Sequence, residues 1–410
     1  MSALARGLSR RQLLRSLAGL PSLLLPGFAF GGVSTGRYLI LVELKGGNDD
    51  LNACPLLRDP VYRRLRPTLA IAERDTITVS AERGFHPALR PLLPAWDAGE
   101  LALIQGIGYP DPDLSHFRSG SFWDTAKPGD YNERRGWLPW VLSHNGYRVR
   151  TDGFDAVAIG FQLGPLAGAG LHTLQLNQAA QPTSIGALDA GGLAAANEAQ
   201  AHLVTIWNDW VLANKAPVPA APLRHSPTPA FPDKPFGDAL KLVAGMLQEK
   251  DAASFYRVTL GGFDTHYAQP VRHQKALDTL GAGLMALRSV LQQAGLWRDT
   301  LVVCCSEFGR RPVENDALGT DHGTAGVAFA MGGAVRGGWL GERPNLEQLD
   351  ATGNLAHTIH FRRLYNTLAL DWLRLKESPI DPGRFPPLPL ISVPGRGTAV
   401  WREASQRVIR

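Results

Sequence analysis

The sequence predicts an α/β chain: a three-layer sandwich with a mainly parallel central sheet and helices on both faces. Three observations predict it. Five short apolar runs, at 38–44, 101–107, 255–260, 300–305 and 327–331, end in glycine-rich or polar clusters, as strands buried on both faces do. Leu277, Leu280, Leu284, Leu287 and Leu291 recur at spacings of three and four, which marks one face of a helix; Phe361, Leu364, Leu368, Trp372 and Leu375 repeat the pattern. These helical segments alternate with the strand-like runs, the order expected of a parallel sheet covered on both sides.

Length and composition bound the alternatives. A chain of 410 residues suits two to three domains or one large α/β domain. A hydrophobic fraction of 44% with 19% charged residues excludes disorder throughout, and 44 Gly and 30 Pro without a period of three exclude a fibre. The chain lacks the run of roughly 18 apolar residues that a conventional membrane span needs. Cys54, Cys304 and Cys305 are too few for a disulfide scaffold or a cysteine-based zinc site. The net charge of +5 belongs to the leader: Arg6, Arg10, Arg11 and Arg15 meet no acid in the first 31 residues, and the rest carries 38 basic against 37 acidic residues. The body therefore offers no electrostatic case for nucleic acid.

From the N-terminus, Ser9-Arg10-Arg11-Gln12-Leu13-Leu14-Arg15 leads a weakly apolar stretch to Phe30. This resembles a twin-arginine export signal, read as residues 1–31 with cleavage near Ala29-Phe30-Gly31. It implies the Tat export machinery as a partner and a bacterial periplasm or cell surface as destination. Pro21 and Pro26 would break a long helix and argue against a permanent anchor. Residues 32–410 read as one domain. Within it, 162–235 is rich in Ala, Gly, Pro and Gln and reads as an inserted cap, with a helix around Trp207 and Trp210 and a Pro-rich loop over Lys215–Pro235. Beyond Pro379 the Pro-rich tail is expected to wrap the surface.

The polar clusters carry the chemistry. Asp264 and His266, two apart at a strand end, point to one side and suit a divalent metal. Asp321 and His322 stand on a glycine-flanked turn that lets adjacent ligands splay. Asp49 follows the first strand through Gly46-Gly47. Ser115 precedes a helix whose start favours an alkoxide or a bound anion. Glu307 and Arg310 follow the fourth run as an outer base or an anion clamp. Each cluster also has a bland reading as a turn, cap or ion pair. Their joint placement past buried strands, where α/β sheets gather their chemistry, favours metal-assisted hydrolysis of a phosphate or sulfate ester.

Together, GGND (46–49), GYPDPDLSHFRS (108–119), GGFDTH (261–266), SEFGR (306–310), GTDHG (319–323) and GGAVRGG (332–338) resemble the DUF1501 family. This is a family of unknown function related to the alkaline phosphatase and sulfatase superfamily, and the resemblance runs from about residue 37 to 375. It implies an alkaline phosphatase-like sandwich with one or two divalent metals (Zn, Mn or Ca) beside a nucleophile. Carried over, Asp49, Asp264, His266, Asp321 and His322 are metal ligands, and His360 or His357 is the last histidine ligand. Ser115 is the nucleophile position with Ser119 in reserve, and His116 is open to a role as ligand or acid. Ser115 lies eight residues beyond Ile107, farther from its strand than a nucleophile of that superfamily usually sits. Two functions stay open: a hydrolase of a small anionic ester, in which Arg118 or Arg310 binds the anion, and a non-catalytic envelope binding or assembly protein that keeps the fold. A metal-free serine hydrolase is disfavoured by the lack of a Gly-x-Ser-x-Gly elbow.

Overall fold

The computed structural model describes residues 36–151, 153–176, 229–232 and 235–392. The leader, Trp207, Trp210, most of the expected cap and the tail after 392 lie outside the described residues. Besides a small hairpin of Ile77–Thr78 and Gly84–Phe85, the strands in chain order are β1 (Tyr38–Leu44), β2 (Leu101–Gly108), β3 (Ala156–Ile159), β4 (Thr173–Leu176), β5 (Phe255–Leu260), β6 (Thr300–Cys305), β7 (Arg310–Glu314), β8 (Thr320–His322), β9 (Gly326–Met331), β10 (Gly338–Leu340) and β11 (Ile359–His360). The principal helices are α1 (His116–Thr125), α2 (Trp137–His144), α3 (Phe236–Met246), α4 (Gln269–Gln293) and α5 (Phe361–Asn366).

Nine strands form one sheet in the order β10-β2-β9-β6-β1-β5-β3-β4, with β11 also beside β2. Every pairing is parallel except those of β9, which runs antiparallel to both β2 and β6. All five apolar runs are strands, and the α/β class with a mainly parallel sheet is found. Strands β3 and β4 are short, and β4 forms an edge of the sheet from residues that composition had assigned to the cap.

Alternation builds the layers. Ile40, Val42 and Leu44 of β1 join the core under α3 and α4, while Leu39 joins the core under α1, α2 and α5. Val327, Phe329 and Met331 of β9 divide from Ala328 and Ala330 in the same way. The five leucines of α4 are fully buried, each stabilising the layer by about 1.5–3 kcal/mol relative to exposure. Helix α5 widens after Asn366 into a π turn through Trp372, closed by Leu373 N–H donating to Leu368 O.

Two expectations are corrected. Strand β1 is not buried on both faces: Leu41 and Glu43 stay half-exposed on the α1 side. The Pro-rich tail does more than wrap the surface, because Leu388, Leu390 and Ile391 are buried in the core beneath α5. Proline removes donors and so excludes ladders, but it does not exclude packing. The cysteines are free, and burial pushes the thiols of Cys54 and Cys305 up to about 12. Among the described residues no helix is long and apolar enough to cross a membrane.

Candidate metal centre

Four loops meet at the carboxyl edge of the parallel strands: 45–49 after β1, 109–116 after β2, 261–266 after β5 and 306–310 after β6. The fifth contributor arrives from the opposite direction. Because β9 is antiparallel, with Gly326 opposite Ile107 and Met331 opposite Leu101, its amino end lies at this same edge. Asp321 and His322, expected on a turn, instead lie in the short strand β8 that precedes β9, and they are thereby delivered to the loops that follow the parallel strands.

Three imidazoles converge there on one carboxylate. His266 Nε2 lies 3.1 Å and His322 Nε2 3.4 Å from Asp264 Oδ1, while His116 Nε2 lies 3.5 Å from Asp264 Oδ2. Donor atoms of His116, Asp264 and His322 all fall within 4.8 Å of one another. Each ring is anchored through its other nitrogen. His116 Nδ1 bonds Glu307 Oε1 at 2.7 Å, His266 Nδ1 meets Asp321 Oδ1 at 3.2 Å, and His322 Nδ1 meets the carbonyl of Leu114 at 2.8 Å. Ionised carboxylates and carbonyls only accept, so each Nδ1 carries a hydrogen, and a ring in its neutral form turns an Nε2 lone pair inward. Imidazoles anchored by carboxylate or carbonyl acceptors are how proteins orient metal ligands. The donor set fits a divalent ion, and imidazole-rich sites suit Zn or a neighbouring transition metal better than Ca, which takes oxygen.

The surroundings hold these groups in place. Phe308 packs against His116 at 5.0 Å and His322 at 4.6 Å between ring centroids. Burial lowers the pKa of His322, favouring the neutral ring that binds metal. The hydrogen bond that His116 donates to Glu307 raises its pKa. Burial works to raise Asp264, but the Arg310 hydrogen bond and charge bring it below its ordinary value. Gly46 has φ +119°, and a Cβ there would stand 2.2 Å from Asp264 N; one on Gly319 would stand 2.2 Å from the His266 carbonyl group. The motif glycines thus let ligand-bearing loops touch backbone to backbone.

The family model described as "Protein of unknown function (DUF1501)" matches residues 90–381, more than half of the chain. The chain belongs to the DUF1501 family. No curated protein matches it. Among solved structures it is similar to the lipoteichoic acid synthase LtaP from Listeria monocytogenes, with 11% identity over 76% of this chain and 67% of that one and a TM-score of 0.36. It is also similar to the C-terminal periplasmic domain of EcEptC from Escherichia coli, with 12% identity over 85% of each chain and a TM-score of 0.39. A protein in the alkaline phosphatase superfamily from Vibrio parahaemolyticus gives 10% identity over 78% and 67%, with a TM-score of 0.35. These values are too low to bear on the chemistry of the site.

In this DUF1501 chain the residues expected as ligands divide. Asp264, His266 and His322 come together, and His116 joins them as a fourth donor. Asp321 stands behind His266 as its anchor, with Asn315 donating to the same oxygen. Asp49 is in no such group among the described residues. It is buried, and its Oδ2 takes Arg66 Nη1 at 2.6 Å and the Gln269 amide. Burial works to raise its pKa, but Arg66 outweighs this and the net shift is downward. His360 caps α5, its Nδ1 accepting from Arg362 N, and its ring lies against Phe361 and Phe385. A ring whose Nδ1 accepts a cap bond is anchored to its own helix instead.

The residues expected to be catalytic divide as well. Ser115 is the N-cap residue of α1, its side chain makes no cap bond, and it sits between two parts of the centre, the Leu114 carbonyl and His116. Ser119 is not available as a nucleophile: it is fully buried, with Oγ on the Glu307 carbonyl at 2.5 Å and on the Tyr109 hydroxyl at 2.8 Å. Glu307 is buried and accepts from both His116 and Gly46 N, so it orients a ring. Arg310 is no anion clamp. Its buried guanidinium donates to the carbonyls of Gly46, Gly47, Phe263 and Thr320 and to Asp264 Oδ1 at 2.6 Å, tying three segments of the site together. Arg118 keeps an exposed head, paired with Asp113 at 3.3 Å. Phe308 and the Leu114 carbonyl went unread in the sequence. Phe308 lies inside the SEFGR motif between two assigned polar residues, whereas a backbone carbonyl leaves no sequence signal.

Proposed function

We propose that the chain is an exported, metal-dependent hydrolase of phosphate or sulfate esters, working at the centre of His116, Asp264, His266 and His322. The convergence of three Nε2 atoms on Asp264, each ring anchored through Nδ1, carries this reading. A divalent cation bound there would supply Lewis-acid polarisation of an ester oxygen. Glu307, Asp321 and the Leu114 carbonyl fix ring orientation, and Arg310 holds the loops. Ser115 Oγ, at the start of a ten-residue helix, attacks phosphorus or sulfur. The first helical N–H groups favour the charge that develops beside it. The ester oxygen leaves as the alcohol with the serine proton, and water then releases phosphate or sulfate. Arg118, three residues on and on the same helix face, binds the anion. The twin-arginine leader supports a place in the periplasm or at the cell surface.

The second reading is an envelope binding or assembly protein that keeps the metal. It is favoured by the full commitment of Arg310 to protein groups, which leaves an exposed arginine as the anion contact. Metal content of the mature protein beside Asp264→Ala and His322→Ala, with a screen of phosphate and sulfate esters on wild type and Ser115→Ala, tests both. Metal lost in the first two variants and turnover lost in the third support the hydrolase. Metal without turnover, and a Ser115→Ala variant like wild type, supports the binding protein. A metal-free wild type sinks the mechanism as written.

A further inference from the structure

Strand β1 leaves a gap on its α1 face. Leu41 and Glu43, which alternation places toward that layer, are only partly buried, and they share the wall of a small pocket with Trp123, Asp124, Trp137 and Arg257. Glu307 belongs to this wall too, so the pocket backs onto the support of His116 without containing a member of the metal cluster. The wall is preformed. Trp123 stacks on Phe361 at 4.6 Å and 22°, and Trp137 stacks on Tyr365 at 4.5 Å and 14°, which fixes both indoles.

The charges in the wall do not balance. Glu43 is matched by Arg257, whose Nη2 lies 2.5 Å from Glu43 Oε2, and Glu307 is matched by His116. Arg257 spends Nη1 on the Gln162 carbonyl. Asp124 makes no hydrogen bond and no ion pair among the described residues. Burial raises its pKa to about 7, with Arg257 opposing and Glu43 adding to the shift. Asp124 is partly screened from water; a carboxyl so placed without a partner is costly to ionise, and a cation brought beside it recovers that cost. The one group of three metal-sized ligands among the described residues is at the metal centre, so a bare metal ion does not suit Asp124. An aromatic wall and one carboxylate left without a partner suit an organic cation.

We propose that this pocket is a second ligand site, separate from the metal centre, for a small organic cation whose ammonium group bonds Asp124 and whose hydrocarbon part lies against Leu41 and Trp123. The inference does not depend on the hydrolase reading.

The test titrates the full mature chain with n-butylammonium, n-butanol and butyrate at a pH above the raised value of Asp124, following tryptophan fluorescence and the thermal midpoint. Butylammonium is expected to bind at least about 10-fold more tightly than the neutral and anionic isosteres. Asp124→Asn keeps the shape, removes the charge and is expected to erase that preference with metal content unchanged. The His322→Ala variant, which disrupts the metal centre, is expected to keep it. Equal binding of the three probes, a preference that survives Asp124→Asn, or one that vanishes in His322→Ala each overturns the proposal.

Discussion

His266 and His322 face each other Nε2 to Nε2 at 2.9 Å, although each carries its hydrogen on the far nitrogen. Two inward lone pairs at that distance repel unless a proton or a metal cation lies between them. With Asp264 and His116 beside them, the pair makes sense as half of a cation site. Asp264→Ala and His322→Ala are each expected to lose the bound metal. Glu307→Gln, which keeps the shape but weakens the anchor of His116, is expected to lower metal affinity by about 10–100-fold. Competition against a chelator of known affinity measures this, and an unchanged affinity in Glu307→Gln would show that His116 is not a ligand.

Arg310 is the brace of the site. Arg310→Met leaves Asp264 and four carbonyls without their donor, and is expected to destabilise the fold by about 3–5 kcal/mol. Denaturant midpoints of the metal-free proteins read this. A loss below ~1 kcal/mol would mean that the loops are held mainly by other contacts.

Gly319 has the His266 backbone in the space of a side chain. Gly319→Ala is expected to push the β8 turn from the β5 loop, separating His266 from its Asp321 anchor. Metal affinity should fall by about 10-fold, comparable to the loss of an outer-shell partner. Affinity equal to wild type would show that the two loops move together.

His273 is buried, its Nε2–H donating to Asn48 Oδ1 at 2.9 Å, and burial lowers its pKa to about 3. The unfolded chain takes up a proton near the ordinary value of 6.5, but the folded chain refuses it until about 3. The unfolded state therefore binds more protons across that window, and stability rises with pH there. Stability is kept above 6.5 and is lost progressively as the pH falls towards 3. His273→Gln removes the group and keeps a side-chain donor, so its acid limb should be shallower. Unfolding free energy against pH for the metal-free proteins decides it, and identical slopes would exclude His273 as a source of acid lability.

Local pattern alone determined a good deal about this protein. The five apolar runs are strands because continuous hydrophobicity closed by glycine suits a sheet covered on both faces. The leucines of α4 declared their helix by period, and the motif set declared the family. Asp264, His266 and His322 were legible as candidate donors because those residue types follow predicted strands.

What only the tertiary structure decided is which donors meet. The antiparallel run of β9 brings Asp321-His322 to the edge occupied by the loops after β1, β2, β5 and β6, and no spacing in the sequence encodes that direction. Arg66 and Arg310 look alike in sequence to arginines that bind ligands, yet both are consumed inside the protein. Asp49, Asp321 and His360 carry the chemistry of ligands but are taken by an arginine, a histidine and a helix end. His116, at a helix start, has its ring fixed beside Asp264 by Glu307, 191 residues away. Residue type fixes what a side chain can do, whereas its use depends on partners brought near by long-range packing, and that information resides in the assembled sheet.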